Sequence, residues 1–348
     1  MIELGISTFE ETTEIEETGV APKHDQRIRD MIEEMKLADE VGLDVYAIGE
    51  HHREDFAVSA PEILLAAGAS VTKNIRLSSA VTVLSSADPV RVYQQYATID
   101  TISNGRSEVM VGRGSFIESF PLFGYDLADY EELFDEKLEM LDKIKNNEKL
   151  TWEGKHTQSV LDKGVYPRAI QEDFPIWVAT GGNVESTLKI AQKGFPIAYA
   201  IIGGEYRRFK GLVDYYKAVG RNAGYSQDKL EVASHSWGFI ADTDEEAIKK
   251  YFHPTKQVVD VISKDRPFRR PLTFEQYLNS VGPEGSMLVG SPETVANKLI
   301  DMIETLNLDR FLLHLPLGSM PHEDIMKAIK LFGEEVAPRV RAHFNKCK

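Results

Sequence analysis

Short runs of apolar and β-branched residues alternate along this chain with longer stretches in which apolar positions return every three to four residues. The first kind has strand character and the second helical character. Strands are expected at 2–7, 43–49, 75–84, 106–111, 175–179, 197–202, 230–241 and 310–315. Helices are expected at 25–41, 61–71, 89–102, 130–145, 184–193, 206–223, 245–262, 295–305 and 323–344. In the first helix Ile28, Met31, Ile32, Met35 and Ala38 share one face, and Gly42 follows the last turn as a terminating glycine does.

Parallel strands need crossover helices, so this alternation implies a parallel sheet. Eight strands is the number that closes a barrel. The expected fold is therefore α/β, a single (β/α)8 TIM barrel spanning 1–348, with no linker composition to split it. A doubly wound open sheet is the competing architecture, but it calls for a glycine fingerprint after the first strand. Thr8-Phe9-Glu10-Glu11 stands there instead. Two stretches exceed the repeat. The first, 146–174, contains strand-like pieces at Leu150-Thr151-Trp152 and Val165-Tyr166. The second, 263–286, carries Lys264, Arg266, Arg269 and Arg270 and is expected to form a mobile lid loop, since long barrel insertions tend to be functional.

Composition narrows the classes. With 348 residues the chain can bury a large core without staples. Its 40 basic against 55 acidic residues give a net charge of −15, which disfavours nucleic acid and anionic membrane as partners. No apolar run has the length of a membrane span, and the acid in Met1-Ile2-Glu3-Leu4-Gly5 speaks against a secretory signal, so a cytoplasmic location is expected. The one cysteine, Cys347, excludes an internal disulfide or a CxxC pair.

Barrel enzymes carry their chemistry at the C-terminal ends of the strands. Glu50-His51-His52-Arg53 follows the second strand and offers an acid/base group, His being suited to proton transfer near neutral pH. A metal site at His51 and His52 would need a third ligand, with His235 and His314 as candidates. Ser79-Ala80-Val81-Thr82 leaves room for a flat ligand, although barrel-core layering explains small residues equally well. Gly112-Arg113-Gly114 offers a guanidinium fork beside glycines. Thr180-Gly181-Gly182-Asn183, with Ser186 just inside the following helix, presents free backbone N–H groups suited to phosphate, or a simple cap at Asn183. Ser291-Pro292 reads as a helix cap, and Phe9, Phe116, Phe120 and Phe123 read as core or pocket wall. The residues alone describe a barrel for a flat, phosphorylated ligand with an acid/base histidine.

In this order the motifs resemble those of the bacterial-luciferase-like, flavin-dependent monooxygenases. The resemblance runs over nearly the whole chain, from Leu4-Gly5 to Met326-Lys327. It includes Ala38-x-x-x-Gly42-x-Asp44, Glu50-His51-His52, Ser79-Ala80-Val81-x-Val83-Leu84, Asp88-Pro89-Val90-Arg91, Gly112-Arg113-Gly114, Phe123-Gly124, Ala179-Thr180-Gly181-Gly182 and Val289-Gly290-Ser291-Pro292. Each piece is weak alone; the colinear order is specific.

The resemblance implies reduced FMN supplied by a separate flavin reductase. Oxygen would add to it to give a peroxyflavin that oxygenates an aldehyde or another small organic substrate. It implies His51 as the acid/base residue and a non-proline cis peptide at Ala80–Val81, after Ser79, beneath the isoalloxazine ring. Arg113, Gly181, Gly182, Asn183 and Ser186 would hold the phosphate. It further implies a homodimer, and a lid at 263–286 that keeps water from the flavin. Luciferase itself has a cysteine where Gly112 stands and a carboxylate where Gly182 stands, which bears on luminescence and on the long-chain aldehyde rather than on flavin binding. Relatives that transfer hydride with a deazaflavin, and members that bind flavin without catalysis, are the alternatives.

Overall fold

The computed structural model describes residues 2–114, 116–265 and 271–346. Its strands are β1 Glu3–Thr8, β2 Val45–Ile48, β3 Arg76–Ser79, β4 Thr82–Val83, β5 Val109–Gly112, β6 Lys149–Trp152, β7 Val160–Gly164, β8 Ile176–Thr180, β9 Ile197–Ala200, β10 Val232–Ile240, β11 Leu288–Gly290 and β12 Arg310–His314. Its helices are α1 His24–Glu40, α2 Pro61–Val71, α3 Pro89–Ser103, α4 Ser119–Phe123, α5 Tyr130–Asn146, α6 Val184–Lys193, α7 Lys210–Asn222, α8 Asp244–Asp265, α9 Phe274–Val281, α10 Pro292–Leu306, α11 His322–Leu331 and α12 Ala337–Lys346.

The main sheet runs β3-β2-β1-β12-β10-β9-β8-β5-β4, all parallel. Leu77 of β3 also bridges Ser107 in parallel, just before β5. β3 and β4 thus fill one place between β2 and β5, and the sheet nearly closes into an eight-place barrel with helices outside. This is the expected TIM-barrel-like architecture.

Strand alternation separates two cores. On β2, Tyr46 and Ile48 point out to the helices, while Val45 and Ala47 point in to join Ala80, Met110, Trp177, Ala198, Ala233 and Leu312. At the base of the barrel Arg310 forms paired hydrogen bonds to Glu108 of 2.5 and 3.1 Å and lies 4.3 Å from the Trp177 ring centre. Ser7, His235 and His314 put polar atoms at the other end. Helix starts follow local chemistry. Asp88 caps α3 ahead of Pro89, and Ser291 caps α10 ahead of Pro292.

Among the described residues the structure departs from the sequence expectation in several places. The third strand is interrupted at the Ala80–Val81 cis peptide. The short β11 pairs with the far end of β10 and carries too few residues for a periodicity signal. In the 146–174 insertion β6 and β7 form an antiparallel hairpin, but Val165-Tyr166 lies past its end, where Tyr166–Pro167 is cis. In 263–286 the chain is helical up to Asp265 and again in α9, whose Thr273–Gln276 capping box fixes its start; Arg266, Arg269 and Arg270 lie outside the described residues, as does Cys347. The last helix holds a π segment at Phe332–Val336, just before Pro338, which has no N–H to donate. No helix among the described residues is long and apolar enough to cross a membrane.

Candidate functional site

Every candidate residue ends or closely follows a barrel strand, with Ser186 in the first turn of α6. β2 delivers His51, whose backbone N–H donates to the carbonyl of Val58 at 3.0 Å. Its ring is packed edge-on against Phe9 (4.7 Å between centres) and Phe116 (5.1 Å), and tilted on Phe56 (4.3 Å). Burial is the main force on its protonation, reinforced by His314, His52 and Arg53, and it brings the pKa down to about 3. The imidazole is therefore neutral at ordinary pH. Its Nε2 is buried with no hydrogen-bond partner among the described residues. A neutral ring with a free nitrogen can accept or hand over a proton there.

The neighbouring polar residues serve as scaffold. His52 Nε2 lies 2.7 Å from Glu50, whose other oxygen accepts the Val83 N–H at 2.8 Å. Glu50 thereby ties the end of β2 to the strand that resumes after the cis peptide, a task that its place in the Glu-His-His run did not disclose. Among the described residues no group with metal-ligand spacing includes His51 or His52. Among the described residues the one group with metal-ligand spacing is Asp129, Glu132 and His156, elsewhere on the molecule.

The Ala80–Val81 peptide is cis, as the resemblance implied. Ser79 anchors its approach: the hydroxyl donates to the carbonyl of Met110 at 2.8 Å and accepts the Met110 N–H at 3.1 Å. That hydroxyl is consumed in stitching β3 to β5. Gly112 stands beneath Val81, and a Cβ there would lie 2.8 Å from Val81 Cγ2. The missing side chain is what lets the cis segment sit against β5.

The loops after β5 and β8 converge. Arg113 donates to Ser186 Oγ at 2.7 Å and to Glu131 at 2.5 Å. Asn183 Oδ1 accepts the Ser186 N–H at 3.0 Å, capping α6. Gly182, at φ +97°, makes the turn, and a Cβ on Gly181 would meet open space. A guanidinium, a hydroxyl and a glycine facing open space at a helix N-terminus make a cradle for an anion. Arg113, Asn183 and Ser186 thus meet, as do Val81 and Gly112, whereas His51 belongs to a separate aromatic group.

That group lines a partly enclosed pocket. Phe9, Phe56, Phe116, Trp237, Ile202, Val258, Ile262 and Leu317 form its walls, with Glu11, His51 and His235 among them. His235 and His314 share one hydroxyl, Ser7 Oγ, at 2.9 and 3.3 Å. Burial holds His235 well below the usual histidine range. These two histidines, which the sequence offered as possible third metal ligands, are packed residues hydrogen-bonded to Ser7. The sequence did not single out Glu11 or Trp237, because a strand-end acid and a strand tryptophan carry no pattern of their own.

The luciferase-like monooxygenase family model matches residues 2–309, so this chain belongs to that family. The N-acetyl-S-alkylcysteine monooxygenase of Bacillus subtilis is 27% identical over 299 residues, covering 81% of this chain and 85% of that protein. Among solved structures, monooxygenase RslO1 from Streptomyces bottropensis superposes with a TM-score of 0.84 at 21% identity, covering 97% of this chain and 99% of its own. The oxygenating constituent of 3,6-diketocamphane monooxygenase from Pseudomonas putida, in complex with FMN, gives 0.74 at 20% identity, covering 98% and 99%. The coenzyme F420-dependent tetrahydromethanopterin reductase of Methanopyrus kandleri gives 0.72 at 18% identity, covering 97% and 99%. At these identities the structural likenesses establish the fold.

Proposed function

We propose that this member of the luciferase-like monooxygenase family is a flavin-dependent oxidoreductase that uses reduced FMN and O2 to oxygenate a small organic substrate. The observation that carries this reading is the cradle at the head of α6, where Arg113 meets Ser186 and the loop before the helix has open space at Gly181. A flavin mononucleotide has the two features this edge of the barrel is shaped for, a terminal phosphate and a flat ring. Arg113, Ser186 and the backbone of Gly181 and Gly182 would hold the phosphate, with Asn183 fixing the helix terminus. Ala80–Val81, backed by Gly112 and clamped through Val83 by Glu50, would support the ring. Reduced flavin supplies the electrons that activate oxygen.

The protein's own contribution is positioning, a dry environment and a proton site. His51 stands neutral at the pocket wall with Nε2 free, so it is the group able to take or give a proton. Phe9, Phe56 and Phe116 around it keep water from that nitrogen. A separate reductase as the source of reduced flavin and a homodimeric assembly complete the reading.

One competing reading has an observation behind it: the superposition with an F420-dependent reductase suits hydride transfer with a deazaflavin. Both cofactors present a phosphate on a ribityl chain, so the cradle accepts either. The test is an anaerobic titration with reduced FMN and, in parallel, with the reduced deazaflavin, followed by rapid mixing with oxygen under near-ultraviolet recording. Tight FMN binding and a transient distinct from oxidised flavin are expected. Preference for the deazaflavin, with no reaction with oxygen, overturns the monooxygenase reading.

A further inference from the structure

Glu10 and Glu11 are adjacent, yet their carboxylates go to opposite sides. Glu10 takes a φ of 61° and turns under α1, where Arg27 Nε lies 2.8 Å from it and Thr8 donates a 2.8 Å hydrogen bond. Arg27 is shared with Glu34, and Glu10 Oε2 keeps the ion pair with Arg27 without a hydrogen bond of its own among the described residues. Glu11 turns into the mouth pocket. It is 2% exposed, and its Oε2 has no hydrogen-bond partner among the described residues. His314 Nε2, itself without a hydrogen-bond partner among the described residues, lies 3.9 Å from Glu11 Oε1.

This carboxylate is held on a rigid backbone. Glu11 bridges Phe56, Thr12 N–H donates to the Asp55 carbonyl at 2.8 Å, and Ser319 donates to the Glu11 carbonyl at 3.0 Å. A buried acceptor left unmet costs free energy unless a ligand meets it. Around the barrel β1 stands four places from β8, so Glu11 faces the phosphate cradle from the opposite rim.

The rest of the pocket limits what that ligand is. Its walls are aromatic and aliphatic, and among its described lining residues Trp237 Nε1 and His51 Nε2 are also unmet. The second acid on the wall, Asp55, is taken by Arg53 at 2.9 Å. Arg53 also stands 4.7 Å from the Phe116 ring centre, so that ring already has its cation. The pocket does not suit an anion, which Glu11 repels, and its aromatic and aliphatic walls give the remaining N–H groups of a bare ammonium little to bond. A neutral O–H donor on a flat apolar body satisfies both the walls and the carboxylate.

We infer that Glu11 is the acceptor that orients the substrate, and that the substrate class is a flat, largely aromatic molecule bearing a hydroxyl group directed at Glu11. Calling this ligand the substrate rests on the monooxygenase reading; the binding preference does not.

The test is isothermal titration of the full chain, with and without FMN, using 2-naphthol, 2-methoxynaphthalene and 2-naphthoate. The wild type is expected to bind 2-naphthol about tenfold or more tightly than its methyl ether, the range a hydrogen bond to a charged group supplies, and the naphthoate more weakly still. Glu11→Gln, of equal size, is expected to remove most of the preference for the naphthol while leaving the ether unchanged. Equal binding of naphthol and ether to the wild type, strongest binding of the naphthoate, or an unchanged preference in Glu11→Gln overturns the inference. Titration of the same samples with FMN reports separately on the cofactor: failure of FMN to bind strikes the proposed function and leaves the donor preference to be judged on its own result.

Discussion

Arg113 reaches from the end of β5 to Ser186 in the first turn of α6, and the 2.7 Å hydrogen bond between them joins residues 73 positions apart. The guanidinium is 22% exposed on its side chain and has Glu131 on its other side. An arriving phosphate would displace an interaction with one carboxylate and gain a preformed fork. Arg113→Ala is expected to weaken FMN by about 10- to 100-fold, from the loss of a charge-assisted contact. Binding of riboflavin, which lacks the phosphate, should barely change. Arg113→Lys should fall between, since it keeps a charge and loses the planar fork. Fluorescence titration with both ligands decides; equal losses for FMN and riboflavin would show that Arg113 does not read the phosphate.

His51→Ala is expected to keep FMN binding within a few-fold and to cut product formation by on the order of 100-fold, the usual scale of a lost acid/base group. Steady-state turnover on an accepted substrate measures it, and undiminished turnover removes His51 from the chemistry.

The depressed pKa of His51, about 3, gives two pH signatures. The pH–rate profile should show no inflection from this group near 6.5, because the folded ring is already neutral there. Stability moves the other way from a salt-bridged histidine. Below about 6.5 the unfolded chain binds a proton that the folded chain refuses. This contribution is complete above that pH and is lost progressively as pH falls toward 3. The drop in melting temperature between pH 7.5 and 5 should accordingly be smaller in His51→Gln than in the wild type. An equal drop in both refutes the shift.

Gly112→Ala tests the seat of the cis segment. The new methyl would lie 2.8 Å from Val81 Cγ2, with Val81 Cγ1 at 3.2 Å. Overpacking of this kind costs about 1–3 kcal/mol. The expected result is a lower melting temperature together with weaker FMN binding, because Val81 must move. Wild-type affinity in this variant would separate the Ala80–Val81 segment from the ring.

Glu108→Ala removes the buried one of the two carboxylate partners of Arg310 at the base of the barrel, away from the mouth, leaving the half-exposed Glu3. Leaving a buried guanidinium without its main partner is expected to cost about 3–5 kcal/mol. Chemical denaturation should register that loss while kcat at low temperature stays close to wild type. A large loss of kcat with unchanged stability would contradict the division of the barrel into a stabilising base and a functional mouth.

Periodicity of two and of 3.6 carries over any chain whose elements are amphipathic, and that is why the eight-place barrel was legible before the structure. Gly112-Arg113-Gly114 and Gly181-Gly182-Asn183 were legible too, because backbone that must turn tightly or open a helix demands particular residues. The hairpin end at Val165-Tyr166, the three residues of β11 and the short α4 were not, since a few residues hold no period. The tertiary structure alone decided which polar groups are free. Ser79 looked available and is occupied by Met110; Glu50 stood in a run of titratable residues and is a clamp on Val83. Glu10 and Glu11 are the same letter twice, yet one is paired with Arg27 and the other is left facing an aromatic pocket. Sequence determines which side chains exist and with what period they recur, but whether a carboxylate or an imidazole has a partner depends on groups brought together from tens or hundreds of residues away. Only the closed barrel sets those distances.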